Sequence, residues 1–185
     1  VAKGGIVVAE ETYPQNTSDF RTQLTKIAAA QPDGLYMVGY RELGQVLKQA
    51  SDLGLETRFL SNALFEDPEI LRVAGSSAEG VVFSSRAFEP ESADPVTRRF
   101  VDAYRVKYNE TPDLFAAYSY DAAKILVLAM KNGGFTSDEI KTALYAVKDY
   151  PGVCGLTSFD DKGDVVQPAY LRTVRNGKFA WFDPK

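Results

Sequence analysis

The sequence predicts an α/β fold, a parallel sheet with helices packed on its faces. Three observations predict it. Strand-like and helix-like runs alternate through residues 1–85. The stretch from Asp33 to Gly54 reads as a strand, a tight turn and an amphipathic helix. Asn176-Gly177 lies between two extended runs, a strong two-residue hairpin signal.

The central stretch carries the most information. Leu35, Tyr36, Met37 and Val38 form a short apolar run that suits a strand covered on both faces. Gly39 and Tyr40 follow at its carboxyl end. Leu43, Val46, Leu47, Ala50 and Leu53 recur at the spacing of one helix face, and Gly54 supplies a C-terminal glycine. Ligands of open parallel sheets dock outside the carboxyl ends of the strands. Tyr40 therefore lines a crevice, or is an ordinary loop aromatic.

Taken in order, Ile6–Ala9 reads as a strand that Glu10-Glu11-Thr12-Tyr13-Pro14 ends. Thr17 or Ser18 caps a helix with Phe20, Leu24 and Ile27 on one face, stopping at Gln31-Pro32. After the central stretch, Arg58–Ser61 is a short strand. Asp67-Pro68 opens a helix filled by Ile70, Leu71, Val73 and Ala74 and ended by Gly75. Val81–Ser84 is a further strand.

Arg86–Pro95 is polar, contains two prolines and reads as a linker. Asp94-Pro95 then repeats the cap-and-proline start, for a helix with Val96, Phe100, Ala103 and Tyr104 on one side. A longer helix, from about Phe115 to Asn132, is apolar over most of its circumference and is expected to be buried. Gly133-Gly134 breaks it. Thr136 and Glu139 form a capping box for a helix with Ile140, Leu144 and Val147. Extended chain returns at Tyr150–Leu156. A polar turn at Asp160–Asp164 and the hairpin around Asn176-Gly177 complete the chain.

Composition narrows the chemistry. At 185 residues the chain can form one sizeable core or two small units, and 45% hydrophobic with 25% charged residues is ordinary for a globular protein. A net charge of −4 supplies no basic stripe for nucleic acid. There is no histidine and one cysteine, Cys154. Ser-His-Asp and Cys-His catalysis, zinc sites built on His and Cys, and an intrachain disulfide are excluded within the chain. Cys154, between apolar neighbours, reads as a small buried hydrophobe.

The remaining motifs are weak. No phosphate-binding loop or Gly-x-Gly-x-x-Gly occurs, so no nucleotide cofactor is expected. Asp160, Asp161 and Asp164 miss the calcium-loop spacing and read as a solvated turn, so no metal is expected. Glu10-Glu11 and Glu66-Asp67 are acid pairs read as structural, with Asp67 already a helix cap. Tyr118, Tyr120 and Asp121 lie on the apolar helix and need partners, either internal hydrogen bonds or a cleft. No nucleophile, base or cofactor loop has partners, so an enzyme is not expected.

A family resemblance rests on the order and spacing of motifs along nearly the whole chain. These are Asp19-Phe20 with Leu24-Thr-Lys-Ile27, Pro32-Asp33, Gly39-Tyr40 with Gly44-Gln-Val-Leu-Lys-Gln-Ala50, and Leu53-Gly-Leu55. Asp67-Pro68 with Ala74-Gly75, Ala78-Glu-Gly80, Tyr118-Ser-Tyr-Asp-Ala122, Gly152-Val-Cys-Gly155, Ser158-Phe-Asp160 and Lys162-Gly-Asp164 follow. The chain resembles the carboxyl-terminal portion of a type I periplasmic binding protein, in the leucine/isoleucine/valine-binding family of ABC transporter receptors.

The resemblance implies two α/β lobes of Rossmann-like layers with a small ligand clamped between them. Residues 1–85 would be most of the second lobe, 86–150 helices belonging to the first, and 151–185 a return to the second with the C-terminal hairpin. Tyr40 falls on a ligand-lining position, and Tyr118 near a first-lobe aromatic that covers the ligand. Amino-acid binders of the family often place an acid in the turn after the third strand. Here the acid's place falls at Ala63 or Asn62, with Glu66 nearby but shifted. A carboxylate or a neutral polar metabolite therefore stands beside an amino acid as ligand class.

The resemblance further implies a membrane permease as partner and a periplasmic or extracellular location. The first-lobe strands of the family have no counterpart here, so the chain reads as a fragment expected to self-associate through uncovered helix faces. A sensory ligand-binding domain of the same fold is the alternative.

Overall fold

The computed structural model describes residues 4–183. The chain divides into two compact units. One runs to Ser85 and resumes at Leu171; the other is Arg86–Tyr170. The expected segment 151–185 is thus split. Its first part, through β4 to β6, stays with the helices that precede it, and the return comes at Leu171.

In the first unit, α1 (Arg21–Ala29), β1 (Gly34–Met37), α2 (Leu43–Asp52), β2 (Arg58–Ser61), α3 (Pro68–Ala74) and β3 (Val82–Ser85) alternate as expected. β7 (Tyr170–Arg175) and β8 (Lys178–Trp181) complete a five-stranded sheet of order β1-β2-β3-β7-β8. β1, β2 and β3 are parallel, and β7 and β8 form the antiparallel hairpin. That hairpin turns on Asn176 and Gly177, both at positive φ (53° and 69°), the geometry that favours the Asn-Gly pair. The Glu79 carboxylate accepts both turn amides and holds the hairpin tip.

One face of this sheet is packed. Met37, Phe83 and Val174 meet Leu24 of α1, Leu43 and Leu47 of α2 and Ile70 of α3 in one core. Gly54, at φ +66°, ends the second helix as its position in the sequence predicts. Asp67 caps α3 by accepting the Glu69 amide, with Pro68 at the first helical position.

Four expectations for this unit are corrected. Ile6–Ala9 forms no strand and has no ladder partner among the described residues, and Ile6 is 85% exposed. A β-rich sequence forms a strand only where a neighbour accepts its ladder bonds, and β1 ends the sheet. β1 itself is covered on one face only. Tyr36, in register with Leu60 of β2, lies on the open face at 58% exposure. The first helix starts later and is not capped by Thr17 or Ser18. Thr17 Oγ1 donates to Pro14 O, and the Phe20 amide donates to Gln49 Oε1 on α2. The third strand of the alternation begins one residue late, at Val82.

The second unit holds α4 (Pro95–Tyr108), α5 (Leu114–Gly133) and α6 (Ser137–Tyr145), followed by β4 (Tyr150–Gly152), β5 (Gly155–Phe159) and β6 (Val165–Val166) in one antiparallel sheet. Asp94 caps α4, and Thr136 with Glu139 closes the expected box on α6. Phe100, Val101, Leu114, Ala117, Val153 and Cys154 form the core. The buried face of α4 is Thr97, Phe100 and Val101; Val96 is exposed. The long helix is not buried all round. Ala117, Asp121, Ile125 and Ala129 form one buried stripe, while Leu126 and Val127 are exposed.

Asp121 organises this unit. It is 4% exposed, and its two carboxylate oxygens accept the amides of Val153 and Cys154, each at 2.9 Å. A side chain on Gly152 would collide with that carboxylate, which explains the glycine. Of the two readings of the Tyr-Ser-Tyr-Asp segment, Asp121 thus takes the internal hydrogen bonds. Bonds to a charged acceptor contribute about 1.5–3 kcal/mol each. Asp121→Ala is expected to lower the stability of the second unit by about 3 kcal/mol, measured as a shifted midpoint in urea denaturation.

Candidate functional site

Three of the four expected site residues fall at the carboxyl tips of β1 and β2. These strands are parallel neighbours with Met37 opposite Ser61, and Ser61 Oγ donates to Met37 O at 2.9 Å, tying the tips together. Tyr40 follows β1 and is 66% exposed. Asn62 and Ala63 follow β2. Asn62 Oδ1 accepts the Leu64 amide at 3.0 Å and caps a 3-10 turn, Ala63–Phe65. The structure thus brings Tyr40, Asn62 and Ala63 to neighbouring tips of one sheet. Tyr118 lies in the other unit, half-buried on α5 against that unit's core.

The loop that carries Tyr40 is fastened from behind. The Tyr13 hydroxyl lies 3.0 Å from Val38 O and 3.1 Å from Glu42 Oε1, both acceptors of its proton. Its ring meets Phe20 edge-on, with centroids 5.1 Å apart. A Cβ on Gly39 would collide with that hydroxyl, so glycine precedes Tyr40 for want of space. Burial, and then the Glu42 carboxylate, push the Tyr13 phenol up from its usual value to about 12.

The acids near the strand tips are engaged within the protein. Asp67 accepts from Arg41 Nε at 2.8 Å as well as capping its helix. Glu66 is 7% exposed and accepts from Ser85 Oγ and Arg172 Nη1, both side chains equally enclosed. Glu42 accepts from Tyr13. Arg172 also lies 4.8 Å from the Trp181 ring centroid, a cation–π contact. The reading of Glu66-Asp67 as structural matches these contacts.

A groove of about 710 Å³ lies within the second unit, between α5, α6 and β4, lined in part by Leu128, Asn132, Thr142, Ala146 and Tyr150. None of the expected site residues lines it. Among the described residues no cluster of acids, histidines or cysteines is arranged to hold a metal ion, and no helix is long and apolar enough to cross a membrane.

Sequence reasoning passed over Tyr13 and Arg172. Tyr13 sits in a run read only as the end of a strand, and Arg172 lies 106 residues from its partner Glu66, beyond any local signal.

The sequence pattern of the periplasmic binding protein family matches residues 1–178. The chain belongs to that family. Among curated relatives, the leucine-, isoleucine-, valine-, threonine- and alanine-binding protein of Pseudomonas aeruginosa is 29% identical over 168 residues, covering 89% of this chain and 44% of the relative. The Leu/Ile/Val/Thr-binding protein of Salmonella typhimurium is 28% identical, covering 97% and 47%.

A solved structure of a leucine-binding protein from Thermotoga maritima superposes with a TM-score of 0.83 at 26% identity, covering 92% of this chain and 49% of that one. The branched-chain amino acid transporter substrate-binding protein of Streptococcus pneumoniae, solved with isoleucine, gives 0.79 at 35% identity, covering 95% and 51%. The chain therefore spans about half the length of the periplasmic binding proteins it matches.

The raised Tyr13 phenol has a defined pH signature. Folding favours its neutral form, so its stabilising contribution is complete below about pH 10, the unfolded value, and is lost as pH rises through about 12. Tyr13→Phe is expected to flatten the fall in stability between those limits, read from urea midpoints across that range.

Proposed function

We propose that the chain is part of the substrate-binding component of an ABC transporter, taking a branched-chain type amino acid or a related small polar metabolite. The reading is carried by one observation. Tyr40, Asn62 and Ala63 sit at the carboxyl tips of two adjacent parallel strands, where a parallel sheet binds ligands. Likeness to the Streptococcus pneumoniae protein solved with isoleucine supports it.

In this reading the first unit is most of one ligand-binding lobe. Tyr40 offers a ring wall and a hydroxyl, and Asn62 presents its amide beside it. The second unit supplies helices of the other lobe, with Tyr118 on α5 among that lobe's candidate ligand-binding residues. Ligand binding shifts an open clamp toward closed. No covalent step is involved and the protein is not an enzyme. It works in the periplasm or outside the cell and delivers its ligand to a membrane permease. A carboxylate ligand remains within the class, because Ala63 or Asn62 stands where amino-acid binders of the family often carry an acid.

Tyr40→Ala in the full-length protein is expected to weaken isoleucine binding by about tenfold, or 1.4 kcal/mol, in titration calorimetry. An unchanged affinity removes Tyr40 from the site; no heat with isoleucine but binding of its 2-keto acid moves the ligand to the carboxylates.

The 185-residue chain itself is expected to self-associate through its open apolar surfaces, Tyr36 and Leu60 on the sheet and Leu126 and Val127 on α5. Sedimentation velocity is expected to show mass rising with concentration. A clean monomer at high concentration overturns it.

A further inference from the structure

The chain leaves the first unit after Ser85 and re-enters it at Leu171. Ser85 is the last residue of β3, and Arg172 is the third residue of β7. Both reach the same side chain. Ser85 Oγ donates to Glu66 Oε2, and Arg172 Nη1 donates to Glu66 Oε1. The three residues are 2%, 4% and 7% exposed for Ser85, Arg172 and Glu66. We infer that Glu66 is a shared anchor that fixes both crossings at one level of the first unit, coupling the end of β3 to the start of β7.

The surroundings of Glu66 fit an anchor. Its backbone amide donates to Ala63 O at 3.2 Å, closing the 3-10 turn, and its neighbours are the buried Phe65 and the helix cap Asp67. The carboxylate is thus held on a short, doubly constrained turn. Arg172 is held on its other side by the Trp181 ring at 4.8 Å and donates through Nη2 to Phe179 O at 3.4 Å.

β3 and β7 are already neighbours in the sheet, and the Val174 amide donates to Val81 O. Ladder bonds alone leave a strand end free to fray. A buried charge pair does not, because separating either partner leaves an uncompensated charge in a dry site. Sharing one carboxylate also couples the crossings, because loosening one contact frees the group that holds the other. This inference is independent of the ligand and of Tyr40.

Coupling is the property to test, on the 185-residue chain by hydrogen–deuterium exchange. Ser85→Ala removes a single hydroxyl and leaves the ion pair and the fold in place. It is expected to raise amide exchange by severalfold at 82–86 and also at 171–174, across the crossing it does not touch. Glu66→Gln is expected to raise both segments by tenfold or more, leaving α2 unchanged, and to shift the emission of Trp181, the chain's one tryptophan. If Ser85→Ala changes 82–86 alone, or neither segment, Glu66 is not a shared anchor and the inference falls, whether or not Glu66→Gln folds.

Discussion

The first unit depends on a charge that cannot stand alone. A carboxylate as enclosed as Glu66 is tolerated only with a partner of opposite sign and with its oxygens bonded. Arg172 and Ser85 meet both conditions, and they come from different strands. The turn after β2, the end of β3 and the start of the final hairpin must therefore arrive together. The hairpin, which follows the whole second unit in the sequence, is bound into the first sheet by this pair as well as by its ladder bonds and Phe179.

With that end of the sheet closed, β1 and β2 stand at the opposite end of the strand order. β1 and β2 expose their tips, and the forces that shape the tips are local. Ser61 ties β2 to β1, Asn62 caps its own turn, and Tyr13 holds the loop before α2. Each uses a polar side-chain atom to bond a backbone group at or beside a strand end. Tyr40 is left exposed on a loop whose backbone is fixed.

The elements legible in the sequence were those with local causes. Asp67-Pro68, Asp94-Pro95, the Thr136–Glu139 box and Asn176-Gly177 all announce themselves within four residues, and the structure has each one. Burial was less legible, because it depends on what lies opposite. The apolar run at β1 and the apolar circumference of α5 suit enclosure on every side, yet each is covered on one side only. Periodicity reports which face of an element is apolar; it does not report whether a second layer is present. The long-range polar contacts were invisible for a different reason. Glu66 read as one of two adjacent acids, and nothing within reach of it in the sequence names Arg172. The positions of Tyr40, Asn62 and Ala63 were legible because strand ends are local features, whereas the half-buried setting of Tyr118 on α5 is a matter of packing.

The two units share one solution to the same problem. Each receives a strand from later in the chain, and each binds it with a buried carboxylate set on an earlier element. In the second unit Asp121 on α5 accepts the amides of Val153 and Cys154, where the chain turns from β4 into β5. In the first, Glu66 takes the guanidinium of Arg172 on β7. The difference lies in the partner. Asp121 is satisfied by backbone, so the close approach needs Gly152 but no complementary side chain. Glu66 is satisfied by side chains, so both partners must be of the right type and the contact constrains sequence as well as geometry. Backbone acceptors of the first kind fasten a turn within a unit. A charge pair of the second kind fixes where a unit ends, which is what a chain that leaves one unit and later returns to it requires.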